Sequence, residues 1–190
     1  MISCISGLVA LVLSASVMGL NAGEGAHEEV VLRLPGRDWG IRVAPEGFEF
    51  GAPQLADDGS AVWAAGDSTD LSLIVKVLLE VSPETDDASG CLARTEARLG
   101  LDSQEIQGVA RSTHDGMPVI EYEIRRHGSV RVDQRNLHAF RFHDGACAEF
   151  HLSIMDYKSQ KHIQFDRVLG SIELVEIGDD TPVAEPGTQP

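Results

Sequence analysis

Residues 71–81 read LSLIVKVLLEV, and this stretch decides the fold. Leu71, Leu73, Val75, Val77, Leu79 and Val81 alternate with the two-residue period of a β-strand, while Ile74 and Leu78 add apolar side chains to the other face. A strand that is apolar on both sides is a central strand covered by two layers. The pattern predicts a layered domain with this strand near its middle.

Downstream of it a helix is expected. Ser82 suits an N-cap and Pro83 the first helical position, with Glu84, Asp86 and Asp87 at the positive end. Leu92, Thr95 and Leu99 recur at helical spacing, Gly100 can end the helix, and Gly90 argues for a later start. Residues 104–155 then read as a four-stranded antiparallel meander, with connections at His114-Asp115-Gly116, Arg126-His127-Gly128 and His143-Asp144-Gly145. Two-residue loops would pair Ile124 with Arg131 and Phe142 with Cys147. Three-residue loops pair Ile124 with Val130, Tyr122 with Val132, Phe140 with Ala148 and His138 with Phe150. The second register sets apolar against apolar and is the expectation. Its other face is mixed, with charged residues beside Val119, Leu137, Ala139 and Cys147. A last helix near Ser159 carries Phe165, Val168, Leu169 and Ile172 on one stripe, before a short strand at 173–177. Upstream, short strands are expected at 29–34, 40–44, 48–50 and 60–65, punctuated by Pro35-Gly36, Pro45-Glu46-Gly47 and Asp57-Asp58-Gly59.

This order of elements, with helices on opposite faces, implies an α+β protein: a three-layer α/β/α sandwich around a mainly antiparallel sheet. The segments LPGRDWGIRVAPEGFEF (34–50), QRNLHAFRF (134–142), EFHLSIMDY (149–157) and FDRVLGSIELVE (165–176) resemble those of Mog1/PsbP-like proteins, exported bacterial members in particular. The resemblance implies the same sandwich and a binding or accessory role rather than an enzyme. It carries over no site residue.

The first 22 residues, MISCISGLVALVLSASVMGLNA, contain no charged side chain. Their apolar run and the small residues after it read as a signal peptide, with Leu20-Asn21-Ala22 before the cut. No Lys or Arg precedes the run, and the alternative is a membrane anchor formed by the same residues. Either reading makes the protein extracytoplasmic, periplasmic or secreted in the first case and membrane-anchored in the second. The expected organisation is leader 1–22, one domain at 23–177, and a disordered tail at 178–190 (GDDTPVAEPGTQP). With the leader removed, Cys91 and Cys147 remain and are expected to form a disulfide. The formal net charge of −15 disfavours nucleic acid and anionic lipid as partners.

No stretch carries a strong catalytic signature. Gly66-Asp67-Ser68 matches the start of a GDS-type esterase block, but a strand follows at once, and a hairpin turn is the expectation. The seven histidines show no metal-ligand spacing; His114, His127 and His143 are expected in turns. Arg125, Arg126, Arg131, Arg135 and Arg141 cluster within 17 residues among acids, with Glu123 expected opposite Arg131. Gln134, Asn136 and His138 are the candidate binding residues: on the expected register they interrupt an apolar face, opposite Ile154, Leu152 and Phe150. The expected function is a non-catalytic binding or accessory protein with a protein or small-molecule partner in the cell envelope. The alternatives are a small-ligand carrier with a groove beside Gln134, Asn136 and His138, and an esterase-like hydrolase using Ser68. No cofactor or metal is expected.

Overall fold

The computed structural model describes residues 27–68, 73–101, 105–155 and 162–177. The leader of residues 1–22 and the tail of residues 178–190 lie outside the described residues. The strand that decides the fold is β6 (Leu73–Val81), which pairs with β5 (Ala61–Ser68) on one side and β10 (Ala146–Met155) on the other. Together with β3 (Glu49–Phe50), β9 (Val130–His143), β8 (Met117–His127) and β7 (Ile106–His114) they form an antiparallel sheet in the order β3-β5-β6-β10-β9-β8-β7. β4 (Gln54–Leu55) also pairs with β5. A second antiparallel sheet has the order β1-β2-β11, from Val30–Leu32, Trp39–Val43 and Ile172–Glu176.

The alternation in β6 does what its period demands. Leu73, Val75, Val77 and Leu79 are buried on one face, in a core shared with Phe150, Leu152 and Ile154 of β10. That core also holds Leu32, Ile41 and Val43 of the small sheet and Phe165, Val168 and Leu169 of α2 (His162–Leu169). On the opposite face, α1 (Ala88–Leu99) lies over β8, β9 and β10 and closes a smaller core of Cys91, Ile120, Phe140 and Cys147. The protein is therefore a mostly antiparallel sheet with two short helices. The expected helical layer opposite α1 is in fact shared by α2 and a three-stranded sheet, because residues 39–43 pair with 30–32 and 172–176 rather than extending the large sheet.

α1 starts later than Ser82. Asp87 is its N-cap, its carboxylate accepting from the Gly90 amide at 2.7 Å, and Gly100 at φ 59 ends it. Gly90 is no accident of composition: a Cβ there would stand 1.7 Å from the Thr85 hydroxyl oxygen. Cys91 meets Cys147 in a disulfide with Cα atoms 5.9 Å apart.

The meander corrects the expected register. Asp115-Gly116 and Asp144-Gly145 form two-residue turns with φ of 47 and 79, and 42 and 74, the left-handed pair that matches strand twist. Phe142 therefore pairs with Cys147, and Phe150 with Ala139 rather than His138. The β8–β9 hairpin forms neither register weighed for Ile124. It closes at His127 and Val130, takes a bulge near Asp133 (φ 45), and pairs Ile124 with Gln134. Apolar matching could not decide between registers because both faces of this sheet are covered; turn chemistry decided it.

Candidate functional site

The register brings two polar stripes together. Gln134, Asn136 and His138 alternate along β9, and Glu149, His151 and Ser153 alternate along β10. Asn136 pairs with Ser153 and His138 with His151 across the ladder, while Tyr122 of β8 pairs with Asn136. All of these lie on the face that carries α1. The candidate residues thus do not interrupt the apolar face opposite Phe150, Leu152 and Ile154; a change of register put them on the other side.

There they make a continuous network. The ring of His138 sits between Glu149 and Tyr122: Nδ1 is 2.8 Å from Glu149 Oε1, and Nε2 is 3.1 Å from the Tyr122 hydroxyl. A carboxylate only accepts, so Nδ1–H donates to it, while Nε2 and the Tyr122 hydroxyl share the second hydrogen bond. Thr95 of α1 donates its hydroxyl to Glu149 Oε2 at 3.1 Å, and Arg98 stands 3.7 Å from the same oxygen. His151 stacks on His138 with ring centroids 4.1 Å apart and 6° between planes. His151 Nε2 meets Asn136 Oδ1 at 3.0 Å, which also accepts from Gln134 Nε2 at 3.1 Å. Gln134 Nε2 donates as well to the Ser153 hydroxyl at 2.5 Å. Asn136 Nδ2 is buried without a partner among the described residues.

Burial sets the electrostatics. Asn136, His138 and Tyr122 are 1%, 3% and 5% exposed. Burial, then the nearby charge of Glu149, pushes the Tyr122 phenol up to about 12. Burial, reinforced by the His138 charge against its face, lowers His151 to about 3. Burial alone would raise the Glu149 carboxyl. The hydrogen bond and charge of His138 outweigh it, with Thr95 helping, and hold the group below the usual carboxylate range. Glu149–His138–Tyr122 has the form of an acid–base relay, but it ends on a buried phenol kept protonated. Such a chain orients groups and fixes a register; it does not present a reacting atom to a substrate.

The remaining candidates are dispersed. Ser68 is not in a turn: Gly66-Asp67-Ser68 belongs to β5, paired with Leu73–Val75, and Ser68 is buried on the core face. Gly66 is required because a Cβ would stand 2.6 Å from the Phe50 ring. His114 lies near Asp115 and Asp166, His127 near Glu105, and His143 packs edge-on against Trp39 at 4.8 Å. Among the described residues no group of His, Cys, Asp and Glu could hold a metal ion. Most of the arginine cluster is ion-paired, although Glu123 meets Arg125 and Arg135 rather than Arg131. Asp133 takes Arg125 and Arg131, and Glu121 takes Arg135.

Glu149, His151 and Tyr122 were not singled out from sequence. The signal was present: polar residues at a two-residue period in an apolar strand, once in 134–138 and again in 149–153, mark two stripes that satisfy each other.

No protein-family model matches the chain, and no curated protein matches it by sequence. Its structure is similar to the solution structure of cyanobacterial PsbP (CyanoP) from Synechocystis sp. PCC 6803, the group that the sequence resembles. The two share 15% identity with a TM-score of 0.47, over 83% of this chain and 99% of that one. A likeness of that degree carries no argument about activity, so function rests on the site itself.

Proposed function

We propose that the chain is a non-catalytic binding or accessory protein working outside the cytoplasm, in the periplasm or beyond, with residues 1–22 as its export leader or anchor. The mature domain is then 23–177, followed by a tail. The observation that carries this reading is the sealed relay: Tyr122, His138 and Glu149 spend their hydrogen bonds on each other and on Thr95, under α1, with the phenol held protonated. The Cys91–Cys147 disulfide supports an oxidising compartment. The net charge of −15 favours a protein or small-molecule partner of the cell envelope over nucleic acid.

A second reading, a carrier with a groove beside Gln134, Asn136 and His138, is favoured by one observation. Asn136 Nδ2 is buried and has no partner among the described residues, next to the half-buried Gln134, where a ligand oxygen would satisfy it.

Native mass spectrometry of the protein recovered from its own envelope fraction tests both. A companion chain or small molecule in stoichiometric amount is the expected result; a small molecule lost on Asn136→Leu selects the second reading. A protein that turns over substrate, and loses turnover on His138→Asn with unchanged unfolding temperature, overturns the non-catalytic reading.

A further inference from the structure

At the turn end of the molecule the two sheets part around a cavity of about 250 Å³. Trp39 and Leu174 of the small sheet form one wall, and Met117, Arg141 and His143 of the large sheet the other. The site is separate from the polar network, since Arg141 and His143 alternate with Phe140 and Phe142 along β9 and face the small sheet.

Two hydrogen-bond donors here lack acceptors among the described residues. Trp39 is 5% exposed and its indole Nε1 is buried with no partner among the described residues; so is the guanidinium Nε of Arg141. A buried donor left unpaired is costly, and proteins rarely tolerate two at one place without something to accept from them. Arg141 is also odd by charge. The chain has 30 acidic and 15 basic residues, and Arg37, Arg94 and Arg135 each meet a carboxylate. Arg141 has none among the described residues. The carboxylate on the cavity wall is Asp115, which is 78% exposed and stands beside His114 rather than Arg141.

We infer that this cavity binds a small monocarboxylate with a compact apolar body, of the size of an aromatic acid. The size follows from the volume: a cavity of about 150 Å³ holds benzene, and pockets for larger ligands start near 300 Å³. The carboxylate supplies acceptors and charge to Arg141 and the Trp39 indole, and the body replaces water against Met117 and Leu174. This inference rests on the binding reading above and gives it a site and a ligand class.

Sodium benzoate is a suitable probe, followed by the indole N–H signals of the ¹⁵N-labelled protein. The chain has two tryptophans, and Trp63, on the other face of β5, is the internal reference. Benzoate is expected to shift the Trp39 signal saturably and leave Trp63 in place. Acetate, lacking the body, and benzylammonium, with the opposite charge, should bind at least tenfold more weakly. Arg141→Leu should weaken benzoate at least tenfold. Leu174→Glu, at a position 42% exposed and tolerant of change, should do the same by placing a negative charge at the mouth. A silent Trp39, equal response to benzylammonium, or unchanged affinity in both variants overturns the proposal. A companion found by native mass spectrometry alongside a silent Trp39 overturns this site and leaves the binding reading standing.

Discussion

Replacing His151 by glutamine removes one titrating group from the polar network and keeps a donor for Asn136 Oδ1. His151 is held near pKa 3 in the folded protein against about 6.5 for a free imidazole. The folded value is depressed, so the stability this residue contributes is present above pH 6.5 and is lost as pH falls toward 3. Between those limits the unfolded chain takes up a proton that the folded chain refuses. The slope is about 1.4 kcal/mol per pH unit, which makes the loss from pH 7 to pH 5 about 2 kcal/mol. Urea unfolding of both proteins at the two pH values reads it directly. With a denaturant slope of about 2 kcal/mol/M, the wild-type midpoint should fall about 1 M further than that of His151→Gln. Titration of groups distant from His151 is common to both proteins and cancels in the difference. Equal falls in the two proteins would refute the reasoning, since they would mean that His151 gains its proton as readily folded as unfolded.

Other perturbations test neighbouring parts of the structure. The Cys91→Ser, Cys147→Ser double variant loses a bridge across 56 residues, a loss of about 4 kcal/mol in chain entropy; calorimetry should show a much lower unfolding temperature. Gly66→Ala sets a methyl group 2.6 Å from the Phe50 ring and 2.8 Å from the Glu49 carbonyl, and should cost about 1–3 kcal/mol in urea unfolding. Tyr122→Phe takes one hydrogen bond from His138 at a cost of about 1 kcal/mol at pH 7. Because the Tyr122 phenol is raised to about 12, its stabilisation is present below pH 10 and lost as pH climbs toward 12; the variant should lack that alkaline loss in a pH series of unfolding curves. Asp87→Ala removes the α1 N-cap, and about 1 kcal/mol should go with it in the same assay.

What could be read from the residues follows a physical division. The alternation of Leu73, Val75, Val77 and Leu79, the stripe of Phe165, Val168 and Leu169, and the Cys91–Cys147 pair depend on local period or on parity, and each appears in the structure. The oddness of Gln134, Asn136 and His138 was also legible, because polar groups in an apolar strand demand partners. Their partners were not, since Glu149 and His151 reach them only through the register of β9 on β10. Choosing that register by apolar matching failed because Phe140 and Phe142 are needed under α1 while Phe150 and Leu152 are needed under the small sheet. With both faces covered, either register buries apolar groups. The polar residues discriminate better: the expected register would set Phe150 and Leu152 beside His138 and Asn136 and break the bonds of His138 to Glu149, His151 to Asn136 and Gln134 to Ser153. The cavity beside Trp39 and Arg141 was not legible, because it is formed by two sheets whose pairing joins residues 39–43 to 172–176.

Whether the polar rows under α1 are sealed structure is read most directly from the imidazole nitrogen chemical shifts of His151 in the folded protein between pH 7 and pH 4. The expected result is a neutral ring throughout, with shifts that stay constant across that range. A His151 that charges near pH 6.5 with the fold intact would contradict it, because a ring that takes up a proton so easily is open to water and to substrate.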